Sequence, residues 1–148
     1  MLNEDYKEIL QILLSNKVEF LVVGAYAMGV HVYPRATGDF DIWVKASVPN
    51  SKIICKSLIE FGAPLKNISQ DTFSKEGVVF QVGVPPRRID IITKIDGVNF
   101  KQAYNDKEDI EIEGLIIPFI SKDNLIKNKE STGRDILDVK YLKNINNR

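Results

Sequence analysis

A single cysteine, Cys55, excludes an internal disulfide in this chain of 148 residues, and a single histidine, His31, leaves no Cys/His set at zinc-binding spacing. Neither sign of charge is in excess, because 20 Lys and Arg balance 20 Asp and Glu. That balance argues against a basic coat for nucleic acid. No run approaches the roughly 18 uninterrupted apolar residues of a membrane-spanning helix. The opening Met1-Leu2-Asn3-Glu4-Asp5 has neither a basic stretch nor a long apolar one, so the expectation is a cytoplasmic protein with no membrane partner. Internal repeats and Pro/Gly/Ser-rich linkers are missing too, as is any Ser-His-Asp or Cys-His arrangement for nucleophilic catalysis. What remains is 44% hydrophobic and 27% charged, an ordinary globular composition. A chain of this length buries roughly 70% of the surface its unfolded form exposes. The expectation is one domain over residues 1–148.

Periodicity divides the chain into helices and strands. Tyr6, Ile9, Leu10, Leu13 and Leu14 recur at helical spacing within 3–16, behind the dipole-favoured acids Glu4 and Asp5. Glu19–Val23 reads as a strand closed by Gly24, and Ala25–Val32 as a helix stopped before Pro34. Phe40–Lys45 is a second strand. Pro49-Asn50-Ser51 is expected to form a loop and cap before a helix that turns Ile53, Ile54, Leu58 and Phe61 inward and ends at Gly62 and Pro64. Residues 65–77 carry no period and read as a loop with room for one short strand. Val78–Val84 and Ile89–Thr93 read as strands on either side of Pro85-Pro86. Ile110–Glu113 and Leu115–Ile117 suggest a hairpin about Gly114, closed by Pro118. Ser121 is placed to cap a helix reaching about Lys129, and a last helix runs from Arg134 or Asp135 to about Asn144. This mixed order predicts an α/β or α+β fold, a mixed β-sheet flanked by helices.

Three acids carry the chemistry. Alternate side chains of a strand share a face, so Asp39 and Asp41 project together while Phe40, Ile42 and Val44 point into a core. Asp90 lies in its own apolar run, Ile89–Ile92, and joins the pair if the two strands are neighbours. Such a trio suits Mg²⁺ held for phosphoryl transfer; the same alternation also occurs on the solvated face of an edge strand. Gly24 follows a strand and opens a helix, where backbone N–H groups can hold phosphate oxygens, or where glycine serves turn geometry alone. Arg35 and Thr37 precede the acids and are either phosphate donors or surface residues. Residues 121–148 hold seven Lys or Arg against four Asp or Glu. Lys127, Lys129 and Arg134 in that segment either reach phosphate or acceptor or form a solvated face, and Asp135 and Asp138 read as surface acids. Trp43 shares the face of Asp39 and Asp41 and is expected to pack under the helix that follows its strand rather than to stack on a base. His31 reads as structural or exposed and Cys55 as a small buried hydrophobe.

These segments together resemble the nucleotidyltransferase fold of the DNA polymerase beta superfamily, in particular its small AbiEii-like or minimal members. Val22-Val23-Gly24-Ala25-Tyr26-Ala27 is similar to that family's strand and glycine turn, and Pro34-Arg35-Ala36-Thr37-Gly38-Asp39-Phe40-Asp41 to its run with two acids. Pro86-Arg87-Arg88-Ile89-Asp90-Ile91-Ile92 is similar to the third-acid strand, and Asn124-Leu125-Ile126-Lys127 through Asp138 to the closing helices. The resemblance implies transfer of a nucleoside monophosphate from a nucleoside triphosphate to an acceptor hydroxyl, with release of pyrophosphate. It implies two Mg²⁺ ions, or Mn²⁺, on Asp39, Asp41 and Asp90 as catalytic residues. Gly24, Ala25, Arg35 and Thr37 would meet the nucleotide, with Lys129 and Arg134 in support. The acceptor would be a protein, an RNA or a small molecule, and the partners a toxin or antitoxin or a second copy of the chain. One departure stands out: Ala25 occupies a position that is usually Ser or Gly, which removes a hydroxyl from the phosphate turn. The competing expectations are an inactive partner-binding module such as an antitoxin and, more weakly, a metal-dependent phosphoesterase.

Overall fold

The computed structural model describes residues 2–32, 38–132, 139–140 and 142–143. Its elements run α1 (Glu4–Ser15), β1 (Phe20–Val23), α2 (Gly24–His31), β2 (Asp39–Val44), α3 (Val48–Phe61), β3 (Val79–Val82), β4 (Arg88–Ile92), α4 (Phe100–Asn105), β5 (Glu108–Ile112), β6 (Leu115–Phe119) and α5 (Lys122–Thr132). The strands form one six-stranded mixed sheet in the order β3-β4-β2-β1-β6-β5. β1 pairs antiparallel with β2 and parallel with β6, while β2 pairs parallel with β4. The expected mixed sheet with flanking helices is therefore what the chain forms. No helix among the described residues is long and apolar enough to cross a membrane.

Helices pack on both faces of the sheet. On one, Tyr6 of α1 stacks on Phe40 with ring centroids 4.6 Å apart, and Tyr26 of α2 meets the edges of both rings. Ile9, Leu10 and Leu13 of α1 and Ile54 and Leu58 of α3 are fully buried, as their spacing predicts. On the other face Trp43 meets Phe100 of α4 edge-on at 5.1 Å. Trp43 thus packs as expected, but its partner is α4, because residue 43 points away from the face that α1 covers.

Local chemistry sets the boundaries where the expectations differ. α3 begins at Val48, with Ser47 accepting a hydrogen bond from the Asn50 N–H, so Pro49 lies in the first turn rather than in a loop. Ser51, expected as a cap, is buried within that helix. Its hydroxyl donates to the Gln70 carbonyl and accepts from the Phe73 N–H, tying the 65–77 segment down. That segment forms turns and no strand, and it plugs the core with the fully buried Phe73. α4, two turns capped by Asn99, was not expected. The β5–β6 hairpin runs through Pro118 to Phe119 instead of stopping there. Its two-residue turn has positive φ at Glu113 and Gly114, as a type I′ turn requires. Counting pairs from that turn, Pro118 falls at a non-hydrogen-bonded position against β5 and just before the Val22–Phe119 register with β1, so its missing N–H breaks no ladder bond.

Candidate metal and phosphate site

The parallel pairing of β2 and β4 sets Asp39 opposite Arg88 and Asp41 opposite Asp90. Paired residues on parallel strands share a face, and so do residues two apart on one strand. The four side chains therefore form a square, three acids and one guanidinium, on the face that also carries Trp43. A carboxylate oxygen from each of Asp39, Asp41 and Asp90 lies within 4.8 Å of those from the other two. Opposite ligands of a six-coordinate Mg²⁺ stand about 4.2 Å apart, from bonds of about 2.1 Å, so closing this set on an ion needs shifts of only some tenths of an ångström.

The glycine turn abuts this square. Val23 pairs with Asp41 across β1 and β2, and Gly24 follows with φ +70°. A Cβ at Gly24 would collide with a carboxylate oxygen of Asp41 and lie 3.1 Å from its Cγ. Gly24 is required twice over, by its left-handed backbone and by the approach of the acid. From it springs α2, whose N-cap, Val23, offers no side-chain acceptor to the first turn. Donors and partial positive charge at this helix start thus sit beside the acids, an arrangement suited to phosphate.

Crowding of like charge shows in the titration of the site. The Asp41 carboxyl is pushed up to about 7, first by desolvation and then by the neighbouring Asp39 and Asp90 carboxylates. Arg88 partly offsets the acids: one Nη2 donates to Asp39 Oδ2 and Asp90 Oδ2, each at 3.2 Å. Its Nε lies 3.1 Å from Asp90 Oδ1, but neither atom makes a directed hydrogen bond, so a buried carboxylate oxygen is left without a donor. An orphaned acceptor, a raised carboxyl and three gathered oxygens are what a divalent cation would satisfy, and the residues fit such an ion. From below, the Tyr6 hydroxyl donates to the carbonyls of Pro86 and Arg88 at 3.0 and 3.1 Å, anchoring the entry to β4.

The other predicted residues are distributed as follows. Ala25 is half-buried in the first turn of α2, next to the square. Lys127 and Lys129 belong to α5, which packs against α2. Arg35, Thr37, Arg134, Asp135 and Asp138 lie outside the described residues. His31 is structural, its Nε2 lying 2.8 Å from the Ile120 carbonyl oxygen, and Cys55 is buried in α3. Trp43 is 2% exposed and shut off from any ligand. Two residues at the site carry no sequence-based assignment. Arg88 is legible in principle, standing two positions before Asp90 on one strand. Gln81, exposed on β3, faces the site because it pairs with Asp90, which only the sheet register reveals.

No family model matches the chain, and no curated protein sequence matches it. Among solved structures, one from Thermotoga maritima described as a "putative nucleotidyltransferase" superposes with a TM-score of 0.64 at 16% identity, over 100% of this chain and 97% of that one. The chain therefore has a nucleotidyltransferase-like fold, with an Asp triad able to hold metal.

Proposed function

We propose that this protein is a metal-dependent nucleotidyltransferase that moves a nucleoside monophosphate from a nucleoside triphosphate to an acceptor hydroxyl. The observation that carries this reading is the gathering of Asp39, Asp41 and Asp90 against the Gly24 turn and the start of α2. Metal ligands and a phosphate cradle then belong to one site, which suits a nucleoside triphosphate with several phosphates to hold. In the reaction the acceptor oxygen forms a bond to the α-phosphorus, the bond from that phosphorus to the bridging oxygen breaks, and pyrophosphate departs with the electron pair. Asp39, Asp41 and Asp90 would hold the metal ions, and Asp90 would take the hydroxyl proton. When bound, Mg²⁺ or Mn²⁺ neutralises phosphate charge and lowers the pKa of the acceptor hydroxyl. The N–H groups of Gly24 and Ala25 receive phosphate oxygens, with Arg35, Thr37, Lys129 and Arg134 as further donors. The acceptor hydroxyl belongs to a protein, an RNA or a small molecule. An AbiEii-like relationship, with a toxin or antitoxin partner or a second copy of the chain, suits that reading.

A second reading, an inactive partner-binding module, draws support from Ala25 and from Arg88, which eases repulsion among the acids without any metal. Incubation of candidate RNA and protein acceptors with an α-labelled nucleoside triphosphate and Mg²⁺ separates the two. Label transfer that is lost in Asp41→Asn supports the enzyme. Unchanged transfer in that variant removes Asp41 from the mechanism, and no transfer by the parent to any acceptor favours the module.

A further inference from the structure

Arg88 shares its face with the acids for a reason that strand geometry makes unavoidable: it stands opposite Asp39 and two residues before Asp90. Its contacts are loose. Charge-assisted N–H···O bonds usually measure about 2.7–2.9 Å, whereas the shared Nη2 sits at 3.2 Å from both carboxylates and Nε is not aimed at Asp90 Oδ1. Arg88 and Asp39 are each 31% exposed, so the pair is open to solvent and to exchange. A divalent cation would meet the same oxygens at about 2.1 Å with twice the charge.

We propose that Arg88 is a displaceable counter-charge that competes with a divalent cation for Asp39 and Asp90. The proposal rests on the metal-site reading above. It makes Arg88 a positioning residue that holds the acids together in the metal-free protein and weakens binding of bare metal by occupying its ligands. Removal of the guanidinium acts twice in the same direction, freeing two carboxylates and deleting a like charge beside the ion. Were Arg88 only a structural strap, its loss would scatter the acids and weaken metal binding instead.

The test is calorimetric titration of Mn²⁺, with no nucleotide present, into the parent, Arg88→Gln and Arg88→Lys. The expected result is at least about tenfold tighter binding in Arg88→Gln, with Arg88→Lys, which keeps the charge, within about threefold of the parent. Arg88→Met, which keeps the aliphatic stem, supplies the same comparison if Gln prevents folding. A melting curve adds a second readout, in which Mn²⁺ raises the melting temperature of the neutral variant more than that of the parent. Equal or weaker Mn²⁺ binding by the neutral variants, with binding by the parent intact, overturns the proposal and leaves the metal site standing. Silence in the parent and all variants would remove the metal site itself and the proposal with it.

Discussion

The carboxylate of Asp41 occupies the space that a Cβ on Gly24 would need. Two sequence signals seventeen positions apart, a turn glycine and a strand acid, are thus one feature of the site. Gly24→Ala is expected to cost at least about 2 kcal/mol from the positive φ and the collision together. It should also weaken Mn²⁺ binding, since Asp41 must move. Thermal melts with a Mn²⁺ titration check this, and an alanine variant with parent-like stability and affinity would refute it.

Asp41 should also govern how stability depends on pH. Its folded-state pKa of about 7 lies above the ordinary 3.8, so the folded state holds a proton that the unfolded state has released between those values. The parent therefore loses stability as pH rises from about 4 to about 7, and Asp41→Asn does not. The variant should melt several degrees above the metal-free parent at pH 8, and the gap should close as pH falls toward 4. A gap that is independent of pH would contradict the crowding of charge at this position.

The same proton competes with metal. An ion that needs Asp41 ionised should bind about tenfold more weakly for each pH unit below about 7, levelling off above it. Mn²⁺ titrations at pH 6, 7 and 8 in the parent give the slope directly, and a flat profile would mean that Asp41 is not a ligand.

Trp43 supplies a control. Its ring is buried against Phe100 and its Nε1 makes no hydrogen bond, so Trp43→Phe should cost roughly 1–2 kcal/mol of packing and leave nucleotide affinity untouched. A loss of nucleotide affinity in a folded Trp43→Phe protein would reopen base stacking at this position.

The parts of the site written in short stretches of sequence were legible there. The strand–glycine–helix unit at Gly24 and the alternation of Asp39 and Asp41 follow from local period and turn chemistry. What sequence could not fix was pairing: that β4 lies parallel to β2 with Asp90 against Asp41 is a long-range fact, and the placement of Arg88 and Gln81 depends on it. Ser47 and Ser51 offered the same capping chemistry four positions apart, and Pro49, read as part of a loop, in fact suits the first turn. α4 is too short for its period to stand out, and Phe73 gave no sign of burial because its neighbours form turns rather than a strand.

Whether the acids on β2 and the glycine turn form one metal-dependent nucleotide site is decided by calorimetric titration of ATP into the parent and the Asp39→Asn/Asp41→Asn double variant, with and without Mg²⁺. The expected result is binding by the parent that requires Mg²⁺ and disappears in the double variant while its fold persists. ATP binding that survives the double substitution, or a parent that binds no nucleotide with Mg²⁺ present, would contradict it.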